Sequence, residues 1–277
     1  VSRTKLTVAF VLVFAACTSR PADRTATERR RPSVAASPAR PASATPAPAR
    51  SSPPASETAS AFAYVEVTTG GADKNAPLPL VIALHGLGDR PEHFVALFDG
   101  FRVPARVVAP HSATSYGDGY SWFPFRVGDP DASAPGIAAA ADALAPFIEA
   151  VARERPTLGR PIVTGFSQGG ALSYALAVRH PEAVAAAFPA GGWISASLVP
   201  PRKPASAPPI LAVHGTADPL VPIERARASA ARLAAVGFSI DLREFEGVGH
   251  GIPGPVRDTL FAALGEACER ERARGPR

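Results

Sequence analysis

The sequence predicts an α/β domain: a mostly parallel sheet covered by helices on both faces. Three observations point to it. Leu80-Val81-Ile82-Ala83-Leu84 and residues 184–188 and 209–213 are short, unbroken apolar runs, the pattern of strands buried on both faces of a parallel sheet. Stretches with apolar residues at helical spacing lie among them. Finally, Gly165-Phe166-Ser167-Gln168-Gly169-Gly170 joins a short apolar run to a small-residue helical run, so that strand, sharp turn and helix follow one another directly.

Taken in order, the chain divides into three segments. Residues 1–17 read as an export signal. Arg3 and Lys5 precede an eleven-residue apolar run, 6–16, which is short of the ~20 residues a bilayer span requires. The run closes with Phe14-Ala15-Ala16-Cys17, which resembles the bacterial lipobox and makes Cys17 the expected lipidation site. On that reading the protein is an exported lipoprotein held to a membrane of the bacterial cell envelope. An ordinary secretory signal cut near Ala16, giving a secreted or periplasmic protein, is the alternative. Residues 18–60 are rich in Pro, Ala, Ser, Thr and Arg and nearly devoid of large apolar side chains. Such a stretch buries too little surface to offset the entropy of ordering and is expected to be a disordered tether.

Residues 61–277 form the expected folded domain. The whole chain has a net charge of +5, but residues 1–60 carry +6 of it, so the domain is close to neutral at −1. A nucleic-acid binder needs a basic footprint, so that class of partner is disfavoured. Residues 62–67 alternate and read as a strand, followed by Leu80–Leu84 and Arg106–Pro110. A helix is expected over 137–155 from Leu144, Phe147, Ile148 and Val151, with Pro146 a point for a kink. After the glycine-rich turn come strands at 184–188, 209–213 and Ile240–Phe245. Val256, Leu260, Phe261, Leu264 and Cys268 then mark the apolar stripe of a last helix. Residues 189–209 hold six prolines and leave no room for an inserted helical cap.

The chemistry follows from the turn. A Gly-x-Ser-x-Gly turn between strand and helix is so tight that its glycines must lack side chains, and it lifts the serine hydroxyl clear of the sheet at a helix N-terminus. Ser167 is the expected nucleophile. A serine needs a base, and the base an orienting carboxylate, each at a strand's C-terminal end in the chain order Ser, Asp, His. Asp218, after the strand ending at Val213, and His250, after the strand ending at Phe245, meet that order. His180 reads as the end of the helix after the serine turn and His93 as lying among polar residues near a helix start; His85 and His214 read as structural residues at strand ends, and His111 precedes the serine. Asp241 lies inside a strand. The oxyanion donors are expected to be the backbone N–H of Gln168 and that of Leu87, on the loop after Leu80–Leu84. No metal or cofactor site is expected: the two cysteines are far apart and no histidine pair has ligand spacing.

Four blocks together resemble the phospholipase/carboxylesterase family of α/β-hydrolases, which includes acyl-protein thioesterases. They are Leu84-His85-Gly86-Leu87-Gly88-Asp89, Gly165 through Ser173, His214-Gly215-Thr216-Ala217-Asp218, and Gly249-His250. Ser121-Trp122-Phe123 is similar to that family's segment beside the acyl site, which makes Trp122 a candidate for substrate binding; the family's following Asp is Pro124 here. The resemblance implies a serine hydrolase of the α/β-hydrolase fold. With no cap over it, the serine is expected to face an open groove, with Trp122, Phe123 and Trp193 as candidates for its apolar wall. The expected reaction is hydrolysis of short- to medium-chain carboxylic esters or thioesters through an acyl-enzyme. The competing reading is a lipid-tethered binding module that keeps the fold without turnover.

Overall fold

The computed structural model describes residues 62–125 and 129–277; the expected leader, the tether and Cys17 lie outside the described residues. The described chain runs β1 (Tyr64–Thr68), β2 (Leu80–Leu84), α1 (Pro91–Val95), β3 (Arg106–Pro110), β4 (Thr114–Tyr116), β5 (Gly119–Ser121), α2 (Ala134–Glu154) and β6 (Ile162–Phe166). It continues through α3 (Gln168–Arg179), β7 (Ala186–Ala190), β8 (Ile210–Gly215), α4 (Ile223–Ala235), β9 (Ile240–Phe245) and α5 (Gly254–Ala273). Seven strands make one sheet in the order β1-β3-β2-β6-β7-β8-β9, parallel except for β1, which runs antiparallel to β3 with Tyr64 opposite Pro110. β4 and β5 form a separate hairpin.

The period-2 geometry of a strand explains how one short run serves two cores. In β2 all five residues are fully buried. Leu80, Ile82 and Leu84 join the apolar cluster that contains α2, α3 and Leu233 of α4, whereas Val81 and Ala83 join the cluster with Phe94 of α1 and Leu260 and Leu264 of α5. Each buried Val, Leu or Ile side chain contributes about 1.5–3 kcal/mol by removal from water, so no polar alternation is tolerated in this strand.

The expected strands are present: β2, β3 and β9 have the expected ends, and β1, β6, β7 and β8 are shifted by one or two residues. The 184–188 run becomes β7 two residues later, and α2 starts at Ala134 and passes Pro146 as one helix. Residues 191–209 contain one short 3-10 turn, Ala196–Leu198, and no cap. α1, at the helix start expected near His93, has only five residues. The β4–β5 hairpin and α4 are absent from the sequence reading. The hairpin turns at Gly117-Asp118, with Tyr116 paired to Gly119, and Gly-Asp between short strands is the signal that would have found it. The stripe that α4 buries beyond its first turn is Ala226, Ser229 and Leu233, two of the three small, which weakens the apolar periodicity.

The chain lays β3 on one side of β2 and then crosses to place β6 on the other, after which the strands proceed outward to β9. This reversal opens a crevice at the carboxyl ends of β2 and β6, where open α/β sheets form their sites.

Candidate active site

The loop after β6 has the geometry its glycines predict. Ser167 has φ 56° and ψ −111°, and it is the sole non-glycine residue with positive φ among those described. Such a backbone costs about 1–3 kcal/mol and persists where its surroundings enforce it. Here a side chain on Gly165 would strike the backbone of Gly169, and one on Gly169 would strike the carbonyl of Leu84 at the end of β2. The Ser167 N–H donates to Ala190 O at 2.9 Å, tying the turn to the end of β7. Ser167 stands directly before α3, whose unpaired N–H groups and dipole favour negative charge.

Asp218 and His250 come together from the ends of β8 and β9. The two loops are laced by Ala217 N–H to Val248 O at 3.0 Å, Thr216 N–H to Phe245 O at 2.9 Å and Gly247 N–H to Thr216 Oγ1 at 2.9 Å. Asp218 is buried; its Oδ1 accepts the N–H groups of Leu220 and Val221, both at 2.9 Å, and its Oδ2 lies 2.6 Å from His250 Nδ1. Burial works to raise the Asp218 carboxyl, but the hydrogen bond from His250 and those from Val221 and Leu220 outweigh it and hold the group below its ordinary value of 3.8. An ionised carboxylate only accepts, so Nδ1 carries the proton and Nε2 presents a lone pair.

Two contacts place His250 near the neighbours of the serine turn. The Phe166 ring, one residue before the serine, lies 4.6 Å from the His250 ring. Gly191, just past β7, leaves open a position 3.5 Å from His250 Cε1. No hydrogen bond joins Ser167 Oγ to His250 among the described residues. The loop after β2 closes the other side: a Cβ on Gly86 would sit 3.5 Å from Ser167 Cβ. The backbone N–H groups of Leu87 and Gln168, the expected oxyanion donors, have no protein acceptor among the described residues.

The side chain of Gln168 is a site feature the sequence reading missed. It is buried, its Oε1 accepts Trp122 N–H at 2.9 Å, and its Nε2 donates to Phe123 O at 2.9 Å. Nothing in a Gly-x-Ser-x-Gly pattern indicates a partner 46 residues away. Trp122, expected on the groove wall, is 8% exposed; its indole donates to His85 O at 2.9 Å and its ring lies 4.8 Å from the His85 ring. Phe123 is buried and Trp193 is buried with its ring 5.9 Å from that of half-exposed Phe125.

The remaining candidates have other partners. His85 is buried and its Nδ1 donates to Gly86 O at 2.8 Å; burial pushes it below its ordinary value of 6.5. His214 Nε2 donates to Val221 O at 2.7 Å, His111 pairs with Glu92 at 3.1 Å, His180 with Asp142 at 2.7 Å, and His93 lies 3.6 Å from Asp89. Asp241 pairs with Arg243 on the surface. Cys268 is fully buried and pushed up to about 12 by burial, which keeps it an unreactive thiol. Among the described residues, no group of three or more His, Cys, Asp or Glu side chains is arranged to hold a metal ion.

A parallel sheet with a strained serine turn between a central strand and its helix defines an α/β-hydrolase. Comparison with known proteins agrees. The Phospholipase/Carboxylesterase family profile matches residues 66–256. A probable carboxylesterase of Oryza sativa subsp. japonica is 30% identical over 190 residues, covering 62% of this chain and 71% of that protein. Carboxylesterase SOBER1 of Arabidopsis thaliana is 26% identical over 190 residues, 62% of this chain and 83% of the other. Among solved structures, esterase PE8 superposes with a TM-score of 0.65 at 25% identity, over 74% of this chain and 99% of that one. The chain belongs to the phospholipase/carboxylesterase family of α/β-hydrolases and is an enzyme of the carboxylesterase class.

Proposed function

We propose that the enzyme hydrolyses short- to medium-chain carboxylic esters, and thioesters of similar size, through an acyl-enzyme on Ser167. The observation that carries this reading is the strained Ser167 backbone, in a turn whose Phe166 ring lies 4.6 Å from that of His250, which is itself 2.6 Å from Asp218. Ser167 Oγ attacks the ester carbonyl carbon while its proton passes to His250 Nε2. The carbonyl electron pair moves onto oxygen, and the oxyanion accepts hydrogen bonds from Leu87 and Gln168 N–H. As the tetrahedral centre collapses, the bond to the alkoxy oxygen breaks and His250 gives its proton to the departing alcohol. Water then attacks the acyl-enzyme with His250 again as base, releasing the carboxylic acid and restoring Ser167. Asp218 holds the imidazole tautomer and stabilises its charged form. The missing Ser167–His250 hydrogen bond is compatible with this role, because such contacts often tighten only around substrate.

The short, capless 191–209 segment supports an open groove, which tolerates varied leaving groups because little encloses the ligand. Ser167→Ala is expected to lower kcat by about 10⁴–10⁶-fold, and a fluorophosphonate to label Ser167 in the wild type. Labelling elsewhere, or a fully active variant, removes the assignment. Across a p-nitrophenyl ester series, rates should peak at short to medium chains without a jump at the solubility limit; a steep rise toward long chains with such a jump would indicate a lidded lipase. We also propose that Cys17 is the lipidated N-terminus of an exported, membrane-held enzyme, from the lipobox-like run at 14–17. Mass spectrometry of the mature N-terminus tests this, and an unmodified end beyond Cys17 rejects it.

A further inference from the structure

The two oxyanion donors of the proposed reaction belong to different elements. Gln168 N–H opens α3, whereas Leu87 N–H lies on the loop that leaves β2. Sheet pairing aligns β2 with β6 as far as Leu84 opposite Gly165 and then stops. Beyond that point the loop 85–89 must be held by something else if both N–H groups are to reach one oxygen.

The holder is the segment 120–123. Gly88 N–H donates to Tyr120 O at 2.8 Å and Tyr120 N–H to Asp89 O at 3.1 Å, which clamps the outer part of the loop. Trp122 Nε1–H donates to His85 O at 2.9 Å and its ring covers the His85 imidazole, which clamps the inner part. The same segment is gripped from the other side by the Gln168 carboxamide, through Trp122 N–H and Phe123 O at 2.9 Å each, with Ser121 Oγ 3.4 Å from Nε2. A carboxamide that must accept from an N–H and donate to a C=O has one orientation only. His85, Ser121, Trp122 and Gln168 are all buried. An apolar side chain of the same length would fill this space but leave Trp122 N–H and Phe123 O without these partners, so the carboxamide ties the segment to α3 as well as filling the space.

We propose that Gln168 is a positioning residue for the reaction, resting on the serine-hydrolase reading above. Its backbone supplies one oxyanion donor, and its side chain, acting through Trp122 and His85 O, sets where the other donor stands. The spacing of the two donors is thereby built into one residue and its indole strut. Loosening the strut leaves the groove and the Ser167–His250–Asp218 set in place and weakens the stabilisation of the tetrahedral oxyanion, an interaction made chiefly in the transition state.

The test is a double-variant cycle in the full-length enzyme with p-nitrophenyl acetate at 25 °C. Gln168→Met keeps length and removes both hydrogen bonds; Trp122→Phe keeps a ring and removes the indole N–H. Each is expected to lower kcat by about 10–10²-fold with KM changed less than about threefold, and to weaken inhibition by an alkyl boronic acid, which forms a tetrahedral adduct on serine, in step with kcat. Because both changes cut one link, the double variant should lose little more than the worse single variant. Unchanged kcat in both single variants, losses that multiply, or a lowered melting temperature with unaltered kcat and boronate affinity would each overturn the proposal. Should Gln168→Met fail to fold, Trp122→Phe with the boronate readout decides it alone. Failure of a fluorophosphonate to label wild-type Ser167 instead overturns the underlying reading, and the strut with it; a labelled wild type with active variants overturns the strut only.

Discussion

Asp218 shows how one residue couples structure to chemistry. Its two oxygens divide their work: Oδ1 takes the Leu220 and Val221 N–H groups that shape its own turn, and Oδ2 takes His250. Asp218→Asn leaves the turn acceptor intact but turns an acceptor into a donor opposite Nδ1, which favours the wrong imidazole tautomer. A loss of about 10⁴ in kcat is expected, with the melting temperature little changed; a loss under tenfold would argue that His250 is oriented by other groups. The base itself must be neutral to accept the Ser167 proton. Activity should therefore fall on acidification. A flat kcat/KM profile down to pH 4.5 would exclude His250 from that role.

At the scale of elements, the edge strand β1 depends on a charged network rather than on apolar contact alone. Arg106, at the start of β3, is 1% exposed; it donates to Glu66 of β1 and to the carbonyls of Lys74 at 2.8 Å and Ala76 at 3.3 Å. Glu66 also accepts from Arg155 Nε at 2.8 Å, and Arg155 donates to Tyr64 Oη at 2.6 Å. Glu66 thus joins β1, β3 and the end of α2. Glu66→Ala would leave a buried guanidinium without its counter-charge, a change that typically costs about 3–5 kcal/mol. For a domain of this size that corresponds to a melting temperature lower by roughly 6–20 °C. Arg106 lies at the end of β3 opposite the serine, so kcat at 25 °C should be retained; a melting temperature within 2 °C of wild type (on the order of the assay's scatter) would mean that solvent or neighbouring groups compensate.

For the whole molecule, acid should act on stability as well as on activity. Burial lowers His85, so below its ordinary 6.5 the unfolded chain binds a proton that the folded one resists. Asp218 is held below 3.8, so the stability it contributes persists above that value and is lost as pH falls through the folded pKa. Asp142, lowered by Arg179, has the same sign, but it is exposed and solvent screens it. In each case the unfolded state holds more protons at acid pH, so stability falls as pH falls. Urea midpoints should decline from pH 7.5 to 5 and again below about 4. A midpoint that is constant from pH 7.5 to 5 would show that His85 protonates without penalty.

The sequence by itself determined the α/β alternation, the serine turn and the placement of Asp218 and His250 after β8 and β9. The reason is local. Runs such as Leu80–Leu84 can be soluble only when covered on both faces. Gly165 and Gly169 flank a turn that no larger residue can enter. In a parallel sheet, residues just past the strand ends gather at one edge whatever their separation in the chain. What only the tertiary structure decided are contacts whose partners no pattern links: Gln168 with Trp122 across 46 residues, Trp122 with His85 across 37, and Arg106 with Glu66 across 40. It also moved Trp122 from an expected groove wall to a buried strut, because an indole can satisfy its single N–H on a backbone carbonyl and pack the rest of its ring against neighbours. Side-chain type and spacing state which groups are present, but the direction in which a buried polar group finds its partner depends on elements that meet only when the sheet is assembled.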